Sequence, residues 1–178
     1  MDVEIRTGTS ALQSLTCRTA DVYQDWPRIW PVWQRVVSAG ETHPYPVDAT
    51  EKEARALWLD PHRSVVHIAE ADGELLAAMM TKPLRYGPGD HVANFDLMVN
   101  PDHWGKGVGR ILADHVIDAT RTAGYHAMEA YAVVETNHRA LRLWQSLGFQ
   151  SMAVVPEAFR HPRFGLTGVH LMRRSLQS

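Results

Sequence analysis

The chain has 178 residues, a net charge of -2 and a single cysteine, Cys17, with 45% hydrophobic and 21% charged residues. That balance excludes a disordered or fibrous chain, suits one domain (1–178) with a proper core, and carries no basic excess to attract nucleic acid. A lone cysteine forbids an intrachain disulfide, the first nine residues are charged, and the longest apolar run (75–80) is too short for a bilayer, so a cytoplasmic protein without membrane association is expected.

Residues 15–18 read as a short strand. Asp25, with Pro27 behind it, marks a helix start, and Ile29, Trp30, Trp33, Val36 and Val37 recur at helical spacing until Gly40. Trp26, Trp30 and Trp33 are read as core or pocket wall. Thr50 and Glu53 form a capping box for a second helix through Leu59. Two strands, 64–71 and 74–84, flank the hairpin signal Asp72-Gly73, and 92–99 is a third, ended by Pro101. From Val108 the positions Ile111, Leu112, His115, Val116 and Ala119 keep a helical period up to Gly124. A strand (127–134), a helix (137–147) closed by Gly148, and strands at 150–155 and 168–172 complete the chain. Hairpin-paired strands followed by strands separated by helices predict a mixed α/β sheet with at least one crossover.

The stretch from Val99 to Arg110 carries the chemistry. Gly105, Gly107 and Gly109 alternate with Lys106 and Val108 as a strand gives way to an amphipathic helix. Glycines let backbone amides approach a ligand, and a helix N-terminus adds unpaired N–H groups and partial positive charge. The sum is an anion site suited to a pyrophosphate; a glycine turn without ligand is the alternative. Neither a Rossmann fingerprint nor a Walker loop fits the spacing.

These residues resemble the GNAT superfamily of acyl-CoA N-acyltransferases. Val99, Pro101, Gly107 and Gly109 match its pyrophosphate signature, with Trp104 where glutamine or arginine is usual. Asn137, Ala140, Leu143, Gly148 and Phe149 match a second signature, in which Trp144 replaces a tyrosine. Gly40 to Pro46, His91 to Asn94, Glu135 to Asn137 and Phe159 to Pro162 resemble, more narrowly, a branch that includes the yeast azetidine-2-carboxylate acetyltransferase. The resemblance implies a GNAT fold: a mixed, mostly antiparallel central sheet flanked by helices, its central strands splayed near residues 97–99. It implies acetyl-CoA as co-substrate, held by Leu97, Met98, Val99, Trp104, Gly105, Lys106, Gly107, Val108, Gly109, Arg110, Asn137 and Trp144. The amide of Met98 or Val99 would polarise the thioester, and Asn94 would help hold the acceptor.

The expected reaction is acetyl transfer to the amine of a small molecule such as an amino acid, an amino acid analogue or an antibiotic-like compound. A non-catalytic acyl-CoA sensor and a protein N-acetyltransferase are the rivals. The base is open. A glutamate frequent in the family corresponds to Ala93, which leaves Asp96, on the face of Asn94 in a regular strand, or His91 through water; a bulge common in the family here would spoil that parity. Tyr131 could replace the missing tyrosine as proton donor, or be a core aromatic. Arg160 and His161 are read as a C-terminal loop, with closure over the site as the alternative. The ten histidines show no metal-ligand spacing, so no metal is expected. Family habit allows a homodimer.

Overall fold

The computed structural model describes residues 3–4, 14–60 and 63–177; the reading of the first nine residues falls largely outside them. Among the described residues eight strands form one sheet in the order β1-β2-β3-β4-β5-β6-β8-β7. In chain order the elements are β1 (Val3–Glu4), β2 (Thr16–Thr19), α1 (Val22–Ser38), α2 (Glu51–Trp58), β3 (Val65–Ala71), β4 (Glu74–Pro83), β5 (Val92–Val99), α3 (Val108–Thr122), β6 (Ala127–Val134), α4 (His138–Ser146), β7 (Gln150–His161) and β8 (Gly165–Ser175).

Most boundaries follow the local signals. Thr50 and Glu53 cap α2 reciprocally, and Asp72 and Gly73 both take positive φ (51° and 80°) as the β3–β4 turn requires. Two expectations are corrected. Helix α1 begins at Val22, because Asp21 is the cap and accepts the N–H groups of Tyr23 and Gln24. Asp25 lies inside the helix, buried, and grips Arg18 and Arg28. Pro27 and Pro31 therefore sit within the helix, each forgoing one intrahelical bond.

The second correction concerns residues 156–161 and 165–167, which are strand and not loop, with 162–164 the turn that joins them. The β7–β8 ladder slips between Val155 and Phe159, where Glu157 takes φ 55°, and then resumes from Phe159 against Thr167 to His161 against Gly165. Pro156 at this irregularity hid the continuation of β7 from the sequence pattern.

Two cores cover the two faces of the sheet. Ala93 and Phe95 of β5 pack with Leu112 and Val116 of α3, Trp144 of α4 and Phe149 beyond it. On the other face Met98 joins Met80, Ile68 and the tryptophans Trp26, Trp33 and Trp58 beneath α1 and α2. Strand parity thus divides β5, with even residues toward α1 and α2 and odd residues toward α3 and α4.

The pairing of β5 positions the site. Against β4 it runs in unbroken antiparallel register from Pro83↔Ala93 to Ala77↔Val99. Against β6 it is parallel and brief, only Val92 to Asn94 opposite Ala127 to Glu129. Beyond Asn94 the two strands part. The bulge anticipated on β5 lies instead on β6, where Ala130 faces Met172 but Val133 faces His170. This extra residue bends β6 away at Tyr131 and Ala132 and widens the gap.

Candidate active site

The gap between β5 and β6 exposes one set of backbone groups. At either end of the β4–β5 ladder the even residues bond β4: the Asn100 N–H to the Leu76 carbonyl at 2.9 Å, and the Leu84 N–H to the Val92 carbonyl at 2.8 Å. Since the register between them is regular, the Met98 amide also points to β4, while those of Leu97 and Val99 point into the gap. Of the two amides considered for polarising a thioester, only that of Val99 faces the gap. Met98 itself is fully buried in the opposite core.

The chain beyond Val99 is held tightly. Asn100 accepts the Asp102 N–H and donates to the Leu75 carbonyl, and Arg35 of α1 makes a two-pronged contact with Asp102 at 2.8 and 3.0 Å. Trp104 turns its indole N–H onto the Val99 carbonyl at 3.0 Å, and Arg139 stacks on its ring 4.7 Å from the centroid. A tryptophan thus ties the glycine loop back to the end of β5. Gly105 and Gly107 take φ 79° and 83°, and a Cβ on either would project into open space. Gly107 caps α3 with no side chain, ahead of the first helical bond from the Arg110 N–H. Gly109 serves closeness: a Cβ there would lie 3.2 Å from Val99 Cγ2 and 3.6 Å from Leu97 Cδ2.

A groove of about 510 Å³ runs along this loop. Leu97, Val99, Trp104, Gly105, Gly107, Val108, Gly109, Arg110 and Asn137, all expected coenzyme contacts, line it. Arg110, Arg139, Arg142 and Arg163 face it against one carboxylate, Glu41, a balance suited to a polyphosphate. Lys106 and Met98 do not line it. His161, expected in a loop, is buried on β7 and closes one side of the groove, while Arg160 is exposed.

A second cavity, about 100 Å³, continues the groove into the gap, sharing Thr42, His43, Leu97, Asn137, Ala140 and Leu143 with it. Trp144 borders this cavity, its ring tilted against Phe95 at 4.6 Å and edge-on to Phe149 at 5.3 Å. Asn94, Asp96 and Tyr131 all line the cavity, Asn94 and Asp96 from the one face of β5 that a regular strand gives them. Asn94 is 5% exposed and its Oδ1 has no partner. His91 lies elsewhere, its ring 5.6 Å from His126.

Asp96 is not the free carboxylate that a direct base would need. Its Oδ2 accepts Tyr45 O–H at 2.7 Å and Trp58 Nε1–H at 3.0 Å, and its Oδ1 lies 3.0 Å from His43 Nε2. Burial alone would raise its pKa, but the charge of the His43 imidazole and the hydrogen bonds from His43, Tyr45 and Trp58 outweigh burial and hold it below the ordinary aspartate range. Burial likewise works against an imidazolium at His43, yet Asp96 and the Leu97 carbonyl carry its pKa upward. Burial and Asp96 together push Tyr45 far up and raise Tyr131. His43, Thr42, Tyr45 and Trp58 were not singled out from sequence; the segment Gly40 to Pro46 that carried the narrower resemblance is the signal that held three of them.

Residues 20–149 match the acetyltransferase (GNAT) family. The chain belongs to that family. A GCN5-related N-acetyltransferase from Kribbella flavida superposes with a TM-score of 0.85 at 44% identity, over 90% of this chain and 97% of that one. The Salmonella typhimurium protein yncA, solved with its cofactor acetyl-CoA, superposes at 0.78 with 26% identity over 93% and 95%. Among curated GNAT relatives, the Escherichia coli (strain K12) L-amino acid N-acyltransferase MnaT is 42% identical over 67 residues, 38% of each chain. The Schizosaccharomyces pombe N-acetyltransferase aca1 is 33% identical over 86 residues, 48% of this chain and 41% of that one. The chain thus matches about two fifths of the length of these two relatives.

Proposed function

We propose that the protein is an acetyl-CoA-dependent N-acetyltransferase acting on the amine of a small molecule. The observation that carries this reading is the continuity of two spaces, an arginine-faced groove beside a glycine loop and a gap lined by outward-facing amides of Leu97 and Val99. The residues fit the coenzyme by two further signs. The Gly105 and Gly107 positions leave a cradle that any Cβ would enter, and the buried Thr136 Oγ1, at the groove, lacks a partner. The match to MnaT, named for amino acids, and to a Salmonella typhimurium L-methionine sulfoximine/L-methionine sulfone acetyltransferase, 37% identical over 67 residues, supports a small acceptor.

The coenzyme supplies an acetyl thioester; the protein's own groups do the rest. Amides of Val108 and Gly109 and the groove arginines hold the anionic end. The Val99 amide, fixed by the β4–β5 ladder, donates to the developing oxyanion. Asn94 Oδ1, buried and unpartnered, accepts an N–H of the amine and orients it. Tyr131, kept protonated by burial and by Asp96, protonates the departing thiolate. An alkyl amine is only about 0.1% neutral at pH 7, equivalent to roughly 4 kcal/mol of barrier, so removing its proton is the step that most needs help.

Calorimetric titration with acetyl-CoA, followed by an amine panel read out as thiol release, tests the proposal. The panel should contain amino acids and analogues, L-methionine sulfone among them. Micromolar binding with amine-dependent release is expected. Binding without release across the panel would favour a sensor, and absence of binding would overturn the placement of the coenzyme.

A further inference from the structure

We propose that Thr42 and His43 carry the amine's proton away, with Asp96 as the residue that positions the imidazole. The proposal rests on the acyl-transfer reading and deepens it. Asp96 Oδ1, 3.0 Å from His43 Nε2, belongs to an ionised carboxylate that can only accept, so Nε2 carries a hydrogen. Nδ1 is then the basic nitrogen, and it lies 2.8 Å from Thr42 Oγ1. The Thr42 hydroxyl donates to Nδ1 and keeps lone pairs for an incoming amine N–H. Thr42 and His43 line both cavities, where an amine seated by Asn94 would meet a thioester at the gap. Asp96 cannot take the proton itself, because Tyr45, Trp58 and His43 occupy its oxygens.

The amine nitrogen bonds the acetyl carbon, the carbon–sulfur bond breaks, and its electron pair stays on sulfur. The amine proton passes to Thr42 Oγ1 as the Thr42 proton moves to His43 Nδ1. Tyr131 protonates the thiolate and regains its proton, through solvent, from the His43 imidazolium. Thioester and amine have become amide and thiol. Other titratable groups around His43 are Asp96 on β5, Tyr45 and Glu41 in its own loop, Tyr131 on β6, and His161 and Arg163 on the β7–β8 arm.

Two measurements test this. In nitrogen-15 spectra of histidine-labelled full-length protein, the signals lost in His43→Gln identify His43. Above its pKa those signals should report hydrogen on Nε2 and a bare Nδ1, and Thr42→Val should shift the Nδ1 signal alone. A neutral tautomer with hydrogen on Nδ1 would overturn the relay whether or not an acceptor is known. With an amine from the panel, Thr42→Val should lower kcat about 100-fold with the acetyl-CoA KM unchanged, and Thr42→Ser should restore most of it. The acid limb of the wild-type kcat profile should move to lower pH in Asp96→Asn. Wild-type kcat in Thr42→Val would sink the relay and leave the acetyltransferase standing; no release by the wild type with any amine would sink the acetyltransferase reading alone, since the tautomer still decides the relay.

Discussion

His67 offers a test of the structure through stability. It lies on β3 facing α3, only 6% exposed, with Nδ1 unpartnered and its ring edge-on to His115 at 5.2 Å. Burial first, and the neighbouring His115 second, lower its pKa from 6.5 to about 4. The sign follows from proton uptake: the unfolded chain binds this proton first, so His67 costs nothing above pH 6.5 and destabilises the fold as pH falls toward 4. Over that whole window the loss is about 3 kcal/mol, and at pH 5 it is about 2 kcal/mol. His115, also lowered, adds in the same direction; His43, raised, opposes it by stabilising the fold on the acid side. Urea unfolding followed by tryptophan fluorescence at pH 7.5 and pH 5.0 measures the effect. His67→Leu should lose about 2 kcal/mol less than wild type between the two conditions. Equal losses would refute the claim that a neutral histidine is trapped between β3 and α3. The result also matters for catalysis, since acid unfolding through His67 must be separated from any acid limb assigned to His43.

Other consequences concern the site more directly. Gly107→Glu places a carboxylate in the cradle and should weaken acetyl-CoA binding at least 100-fold by calorimetry, while the left-handed φ of 83° costs the fold about 1–2 kcal/mol. Trp58→Phe keeps the ring in the core but deletes the 3.0 Å donor to Asp96; urea midpoints should report a loss of about 1.5–3 kcal/mol, the value of a hydrogen bond to a charged group. Tyr131→Phe should lower kcat about tenfold with the acetyl-CoA KM unchanged, below the usual range of general-acid effects because a thiolate leaves readily. An unchanged kcat would remove Tyr131 from the mechanism.

The framework was legible where local chemistry decides conformation. The Thr50–Glu53 box, the Asp72-Gly73 turn and the glycines before α3 each act through their own backbone, so sequence placed them. Where two local readings competed, the choice went wrong for a physical reason. Asp25 looks like a cap ahead of Pro27, but Asp21 satisfies the free amides one turn earlier, and Asp25 is drawn inward by Arg18, itself fixed on β2. Likewise Pro156 reads as the end of a strand, although an edge strand can absorb a proline at a bulge and continue.

The site itself divides along the same line. Strand parity brings Asn94 and Asp96 to one cavity without any knowledge of the rest of the fold, and the glycine loop announces its own groove. The state of Asp96 depends on partners 38 to 53 residues away: Trp58 from α2, and His43 and Tyr45 from the loop between α1 and α2. No periodicity marks that loop, so its histidine looked like one of ten. Which amide of β5 faces the gap depends, in turn, on β4 claiming the even residues, a fact of pairing and not of composition. A residue's identity can therefore be read as capacity, but its protonation and its direction are set by whatever the fold packs against it. At Asp96 that packing spends the carboxylate on three donors, and the basic nitrogen the site has left belongs to a histidine that only the folded chain brings near.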